Sequence, residues 1–417
     1  MRVSDPFETA DIGVRKAVIV AVGVLALFVL YAIVYPTQTA LVAMILAFFV
    51  MIMLHELGHF LTAKRAGMKV TEFFVGFGPR LWSFRKGETE YGVKAVPLGG
   101  YCRIIGMTNV EEVAPEDEPR AYRSKRWGAK VGVAAAGPAV HFLIALVLMF
   151  VVIFFAGDYR NQKATTTLAQ VTQGAQAAGL QPGDQVLAID GTRVTGWSQV
   201  PNLVNPPSNP AKPGETRVFT VRRGDASPVD IVVTLQASTD PGSNGRVVAG
   251  IAPQVVVPHP GVLASIARAP REVGDFAWSS IKAIGGMFSP SGIANYFHLL
   301  AGDTGKNVNQ QNRFVSPVGF GKLASDAVRS GWVDAVGLLI MINIFVGLFN
   351  LLPLLPFDGG HIAIASYERI ASAARGRRVQ VDVNKLMPIT AAVVAIFGFI
   401  FLSSLFLDIT RPIANPF

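Results

Sequence analysis

The stretch "FFVMIMLHELGHFLTAKRAG", residues 48–67, sets two histidines and a glutamate at the end of a long apolar run. Ionisable side chains in such a run are costly and point to function. His55 and His59 are one helical turn apart, so on a helix both imidazoles face one divalent cation. Glu56 sits about 100° further round. There it can take a proton from water at that cation rather than bind the metal. The pattern is H-E-x-x-H, and its physical reading is a zinc hydrolase. A chance motif or a packed histidine pair would have to explain three ionisable groups in one apolar helix.

The surrounding composition agrees with a helix in lipid. The 417 residues are 51% hydrophobic and only 16% charged, unlike a large soluble enzyme. Apolar runs at Val18–Val34, Leu41–Leu54, Val131–Phe155, Val333–Phe357 and Ile389–Leu407 mostly approach or exceed the roughly 20 residues of a spanning helix. The expected fold is a polytopic α-helical membrane protein of about five spans. The first run follows Arg15 and Lys16 but has no small-x-small cleavage site, so it reads as a retained anchor rather than a signal peptide.

Net charge is +9, with Lys and Arg concentrated in 64–130 and 369–385. The positive-inside rule then sets residues 1–16, 64–130 and 369–386 in the cytoplasm, and 158–331 and the C-terminus outside. The expected location is the plasma (cell inner) membrane. The basic excess reads as topology and contact with membrane lipids, with no nucleic acid needed. Cys102 is the single cysteine, so no internal disulfide exists.

Along the chain the expected order is an anchor (1–36), the H-E-x-x-H span (37–64) and a β-hairpin region (65–127), then a second span (128–157). A polar insert (160–258) and an amphipathic helix with a loop (259–331) follow. A span (332–368), a basic loop (369–386) and a last span (387–417) complete it. In the hairpin region, alternation over residues 89–96 marks strands, and Gly76, Gly78, Gly99 and Gly100 mark turns or bulges. The insert holds short alternating segments, among them "TTLAQV" and "TRVFTVRR", and Gly-bearing turns around a strand in "GLQPGDQVLAIDG". Its G-L-x-P-G-D string and element order resemble a PDZ domain, an α+β module that typically binds peptides by β-augmentation. At 262–288, Val262, Ile266, Ala269, Val273, Phe276, Ile284 and Met287 recur at steps fitting an amphipathic helix, at the outer leaflet or packed on the bundle.

Two histidines leave a catalytic zinc one protein ligand short. Glu72, Glu88 and Glu90 are nearby carboxylates of the kind a soluble enzyme would use. The stronger candidate is distant: "NLLPLLPFDGGHI", residues 350–362, sets Asp358 in an apolar run. A carboxylate there is expensive unless it binds a cation. His361 is its rival. The two prolines of the stretch, Pro353 and Pro356, must disturb the helix, and Gly359 and Gly360 permit close backbone approach.

H-E-x-x-H in one span, a PDZ-like insert and N-x-x-P…D-G-G in a later span together resemble the site-2 protease family of intramembrane zinc metalloproteases, in its actinobacterial form with one PDZ domain. The resemblance implies His55, His59 and Asp358 as Zn²⁺ ligands, Glu56 as catalytic base and Asn350 on the substrate backbone. It implies that the hairpin dips into the membrane and pairs its edge, near those four glycines, with an unwound substrate. It also implies regulated cleavage of single-pass membrane proteins in stress signalling, typically anti-sigma factors. One position departs: the family's A-G-P-x-x-N reads Ala136-Gly137-Pro138-Ala139-Val140-His141 here. His141 is expected to hydrogen-bond a neighbouring helix rather than bind metal. A transporter and a non-catalytic PDZ scaffold with a metal site are the rival classes. The first would show repeated broken helices, and the second has no use for Glu56.

Overall fold

The computed structural model describes residues 34, 36–108, 111–238, 247–303 and 313–412. The expected first anchor lies, Val34 and Pro36 apart, outside them. Helix α1 (Pro36–Arg65) leads into a hairpin of β1 (Val70–Lys86) and β2 (Thr89–Ile104), and the chain returns as α2 (Trp127–Phe155). The insert forms β3 (Lys163–Val171), α3 (Gln173–Ala177), β4 (Gln185–Ile189), β5 (Thr192–Arg193) and α4 (Val200–Val204), then β6 (Thr216–Arg222), β7 (Val229–Thr234), β8 (Gln236–Ala237), β9 (Val247–Val248) and β10 (Ile251–Val256). After it come α5 (Val262–Met287), α6 (Pro290–Ala301), α7 (Pro317–Ser330), α8 (Trp332–Asn350), α9 (Asp358–Arg375) and α10 (Met387–Thr410).

Among the described residues four helical segments are long and apolar enough to cross a membrane: Gln38–Arg65, Trp127–Phe155, Trp332–Asn350 and Val383–Thr410. Only 11% to 28% of each apolar window is buried by protein, and Leu46, Val50, Val147 and Leu402 point outward. Apolar surface on this scale is stable against lipid tails, not water. The molecule is therefore a polytopic membrane protein with an inserted β-rich domain.

The fourth expected span is interrupted. Helix α8 stops at Asn350, residues 351–357 form a turn with a cis Leu355–Pro356 peptide, and Asp358 opens α9. Pro353 and Pro356 lack the N–H groups a continuing helix needs. Gly359 and Gly360 let α9 start hard against the turn, since a Cβ would lie 2.3 Å from the Leu351 oxygen in one case and 2.7 Å from the Leu354 carbonyl carbon in the other. Helix α9 runs on to Arg375, so the first part of the basic segment 369–386 is helix rather than loop. The 259–331 region likewise holds three helices, α5 to α7, where one was expected. In α5 only Ala269 and Val273 of the expected apolar positions are buried; Val262, Ile266 and Phe276 stay exposed.

The hairpin strands are long enough to fold over. Phe74 of β1 pairs with Tyr101 on one side and Gly92 on the other, so the first half of β1 lies between the two halves of β2. The stretch around Gly100–Ile104 is thereby left as an edge. Gly76 sits at a bulge with φ +85°, where a Cβ would meet the Val96 oxygen at 2.8 Å.

Residues 153–265 form a compact unit of their own, distinct from the helical unit. Its six-stranded sheet runs β10-β3-β4-β6-β7, with β5 on β4. Leu168, Val186, Ile189, Phe219, Val221 and Val233 fill its core. In β6 the alternation puts Phe219 and Val221 inward, as a half-buried strand requires. The "QPGD" turn is locked by Asp184, whose buried carboxylate accepts from the Gln181 N–H at 2.9 Å and takes Arg223 in a fork at 2.7 and 2.8 Å.

In the helical unit, Asp408 of α10 is buried yet satisfied. It accepts from Arg313 at 2.9 Å and from the Ser316 N–H at 2.7 Å, at the N-cap of α7.

Candidate metal centre

The histidines lie in the last third of α1, where Ala63, Met68, Val70, Ile104 and Val133 pack the helix end against the hairpin and α2. Gly58 permits the close crossing, because a Cβ there would lie 2.9 Å from the Ala136 oxygen. His59 Nδ1 donates to the Val133 carbonyl at 2.7 Å, which leaves its Nε2 as a bare lone pair. That Nε2 is 3.1 Å from His55 Nε2, and Asp358 Oδ2 lies 3.3 and 3.4 Å from the two. Three electron-rich atoms this close repel one another unless a cation sits among them. The edge of a tetrahedron with metal–ligand bonds of ~2.0–2.1 Å is about 3.3–3.4 Å, so the triangle has the size a zinc ion requires.

Asp358 Oδ2 is buried with no hydrogen-bond partner. Space in front of the triangle is kept by Gly137: a Cβ there would stand 2.4 Å from His59 Nε2 and 2.6 Å from His55 Nε2. The residues present fit a zinc ion.

The rival ligands are engaged elsewhere. Glu72 bonds Tyr101 and Arg103, Glu88 pairs with Lys64 and Arg120, and Glu90 with Arg80 and Ser83. Arg120, with help from Lys64 and against the opposing effect of burial, holds the Glu88 carboxyl down to about 2. The ring of His361 packs edge-on against Tyr122 at 6.2 Å. Among the described residues the group able to hold a metal is His55, His59 and Asp358.

Glu56 reaches the hairpin edge at Gly100. Gly100 lies beside it, its Cβ position 3.3 Å from Glu56 Cγ, whereas Gly76 and Gly78 shape the bulge and Gly99 packs on Phe77. Asn350, the last residue of α8, makes no side-chain hydrogen bond among the described residues, so it does not serve the backbone freed by the prolines. His141 does reach a neighbouring helix. Asn343 of α8 donates Nδ2 to the Leu339 oxygen at 2.8 Å, so its Oδ1 accepts from His141 Nδ1 at 3.1 Å. The His141 ring lies 4.9 Å from that of His55.

Sequence reasoning missed Gly137 as the residue that keeps the metal space open; the Ala136-Gly137-Pro138 string marked it without giving its reason.

A buried triangle of two imidazoles and a carboxylate, with a second carboxylate beside it, defines a metal-dependent hydrolase set in a membrane protein. The sequence profile of Peptidase family M50 matches residues 43–397. The chain is 35% identical over 403 residues to the zinc metalloprotease Rip1 of Mycolicibacterium smegmatis, covering 89% of this chain and 96% of that protein. Rip1 of Mycobacterium tuberculosis is 34% identical over 413 residues, covering 91% and 98%. A putative zinc metalloprotease of Fusobacterium nucleatum is 30% identical over 320 residues, covering 76% and 85%. The chain belongs to peptidase family M50, the site-2 proteases, and is a zinc metalloendopeptidase.

Proposed function

We propose that His55, His59 and Asp358 hold the zinc, that Glu56 is the catalytic base, and that the protein cleaves transmembrane segments of single-pass membrane proteins. The reading rests on one observation above the others, the tetrahedron-sized triangle of Nε2, Nε2 and Oδ2 with Gly137 leaving the space before it. Zinc supplies a Lewis acid for the scissile carbonyl and a water acidified towards neutrality. The rest is the work of this chain. Val133 fixes His59 in the tautomer that presents Nε2. Glu56, one residue round from His55, takes the proton from the attacking water and returns it to the leaving amine.

A peptide bond inside a helix is shielded, so cleavage needs the substrate extended. The β2 edge at Gly100–Ile104 has Gly100 beside Glu56 and offers unpaired backbone to such a strand. Asn350 contributes a free side-chain amide for the same backbone. We assign the insert as a PDZ-like domain outside the cell that governs substrate entry, with anti-sigma factors trimmed by an earlier protease as the substrate class.

The decisive test separates base from ligand. Purified Glu56→Gln should keep full zinc and lose cleavage of a transmembrane reporter, while Asp358→Ala should lose zinc. Full zinc in Asp358→Ala, with zinc lost in His361→Ala, would overturn the ligand set.

A further inference from the structure

The first turn of α2 and the second half of α9 enclose a groove of about 590 Å³, within the ~300–1,000 Å³ of small-ligand sites. Five basic side chains line it and one carboxylate, Glu368, which is already paired with Lys130 at 3.0 Å. Arg378 is tied to the Arg123 carbonyl at 2.8 Å. The remaining three cations, Lys125, Arg126 and Arg369, have no hydrogen-bond or ion-pair partner among the described residues. Unpaired like charges gathered around one hollow repel each other and call for an anion. The walls are fixed independently of those cations, because the Trp127 indole donates to Ser366 across the groove at 3.3 Å.

Position selects the kind of anion. The groove opens at the first residue of a membrane-spanning helix, where exposed Trp127 gives way within one turn to the apolar run from Val131. Tryptophan at a span end marks the headgroup level of the bilayer, where phosphodiesters are the abundant anions. Guanidinium forks suit phosphate oxygens in two-point contact, and Arg126 and Arg369 supply two of them.

We propose that this groove binds the phosphodiester headgroup of an anionic phospholipid, with Lys125, Arg126 and Arg369 as its contacts. The site is separate from the zinc triangle, and it stands whether or not the ligand and base assignments hold.

The test uses the full-length zinc-loaded protein in detergent micelles, with retained lipid counted by native mass spectrometry. Phosphatidylglycerol should be retained about fivefold or more over phosphatidylcholine. The triple variant Lys125→Gln/Arg126→Gln/Arg369→Gln should bring the two lipids level, with zinc content and melting temperature unchanged. Arg375→Gln/Arg377→Gln, which removes equal-signed charge just beyond the groove, should leave the preference intact. Single Arg369→Gln serves if the triple variant folds poorly, and should weaken the preference alone. Equal retention of the two lipids in the unaltered protein overturns the proposal. So does an equal loss in the Arg375/Arg377 variant, which would mean diffuse surface attraction. Displacement of the lipid by millimolar glycerol phosphate would show a site for free phosphate and overturn the lipid assignment.

Discussion

The α carbon of Gly137 points its missing side chain at the metal centre: a Cβ built there stands 2.4 Å from His59 Nε2. Substitution by the smallest side chain should therefore empty the site. Gly137→Ala is expected to lose most of its zinc and all cleavage. Alanine is favoured over glycine in a helix by ~1 kcal/mol, so the chelated protein should melt no lower than chelated wild type. Zinc content and thermal unfolding check both halves. Gly132→Ala, on the same helix with open space around it, should keep its zinc and its cleavage and melt no lower than wild type.

Gly100 offers the complementary test, of the base rather than the metal. Its Cβ position is 3.3 Å from Glu56 Cγ and from Met53 Sδ, and 3.1 Å from the Phe74 oxygen. Gly100→Val should displace the Glu56 carboxylate and crowd the β2 edge while leaving the zinc triangle in place. Cleavage is expected to fall at least tenfold, about 1.4 kcal/mol of transition-state stabilisation, with zinc retained. Loss of zinc in this variant would mean that the crowding moves α1 itself.

In the inserted domain, stability should follow the charge of Asp184. Its carboxyl is held below the usual range by the Arg223 guanidinium, against the opposing effect of burial, with help from the Gln181 N–H. A folded value lowered beneath the unfolded one of ~3.9 gives stability that is complete above that pH and is lost as pH falls through the folded value. Asp184→Asn should cost about 1.5–3 kcal/mol at pH 7, the worth of hydrogen bonds to a charged group. The difference between the two proteins should shrink below about pH 4. Thermal unfolding of the insert, followed from pH 7 to pH 3, reads both.

How much of this the sequence carried depends on how local each interaction is. His55, Glu56 and His59 were legible because a single helical turn brings them together. Asp358 stood out because a lone carboxylate in an apolar run needs a cation. The alternation of residues 89–96 and of "TRVFTVRR" exposed their strands in the same way. Hydropathy alone could not see the break at residues 351–357, since Leu351, Leu352 and Phe357 are as apolar as the helices on either side, whereas the two prolines foretold a disturbed helix. Only the missing N–H groups of Pro353 and Pro356 end the helix, which moves Asp358 from mid-span to the head of α9. Gly137 and Arg313–Asp408 escaped for a different reason. Their meaning lies in a neighbour 78 or more residues away in the chain, and no periodicity encodes that.

On the proposed topology, read from where Lys and Arg gather, the segment after α9 is inside and the inserted domain outside. Cys102 is the single cysteine, so a Cys102→Ser background accepts reporter thiols one at a time. Arg377→Cys should resist a membrane-impermeant maleimide on intact cells and react after lysis, while Ser208→Cys should react from outside. The reverse pattern would invert the protein and place the substrate's entry on the other face.

The inserted domain is expected to act as a gate. On the proposed topology it lies outside while the metal site is close to Lys64 and Arg65, at the cytoplasmic end of α1, so it supplies no catalytic group. What remains for it is control over which substrates enter, by holding a newly made C-terminus or by obstructing a bulky ectodomain. Replacing residues 165–258 with a short flexible linker should leave zinc binding and cleavage of a pre-trimmed substrate near wild type, and raise cleavage of the untrimmed form. Zinc content and melting temperature must accompany the assay, because a domain that merely supports the bundle would lower all of these together. A stable, zinc-loaded deletion that still rejects untrimmed substrate would remove the gate from this domain. Selection would then fall to the β2 edge or to α5, whose Ile266, Phe276, Trp278 and Ile281 stand exposed.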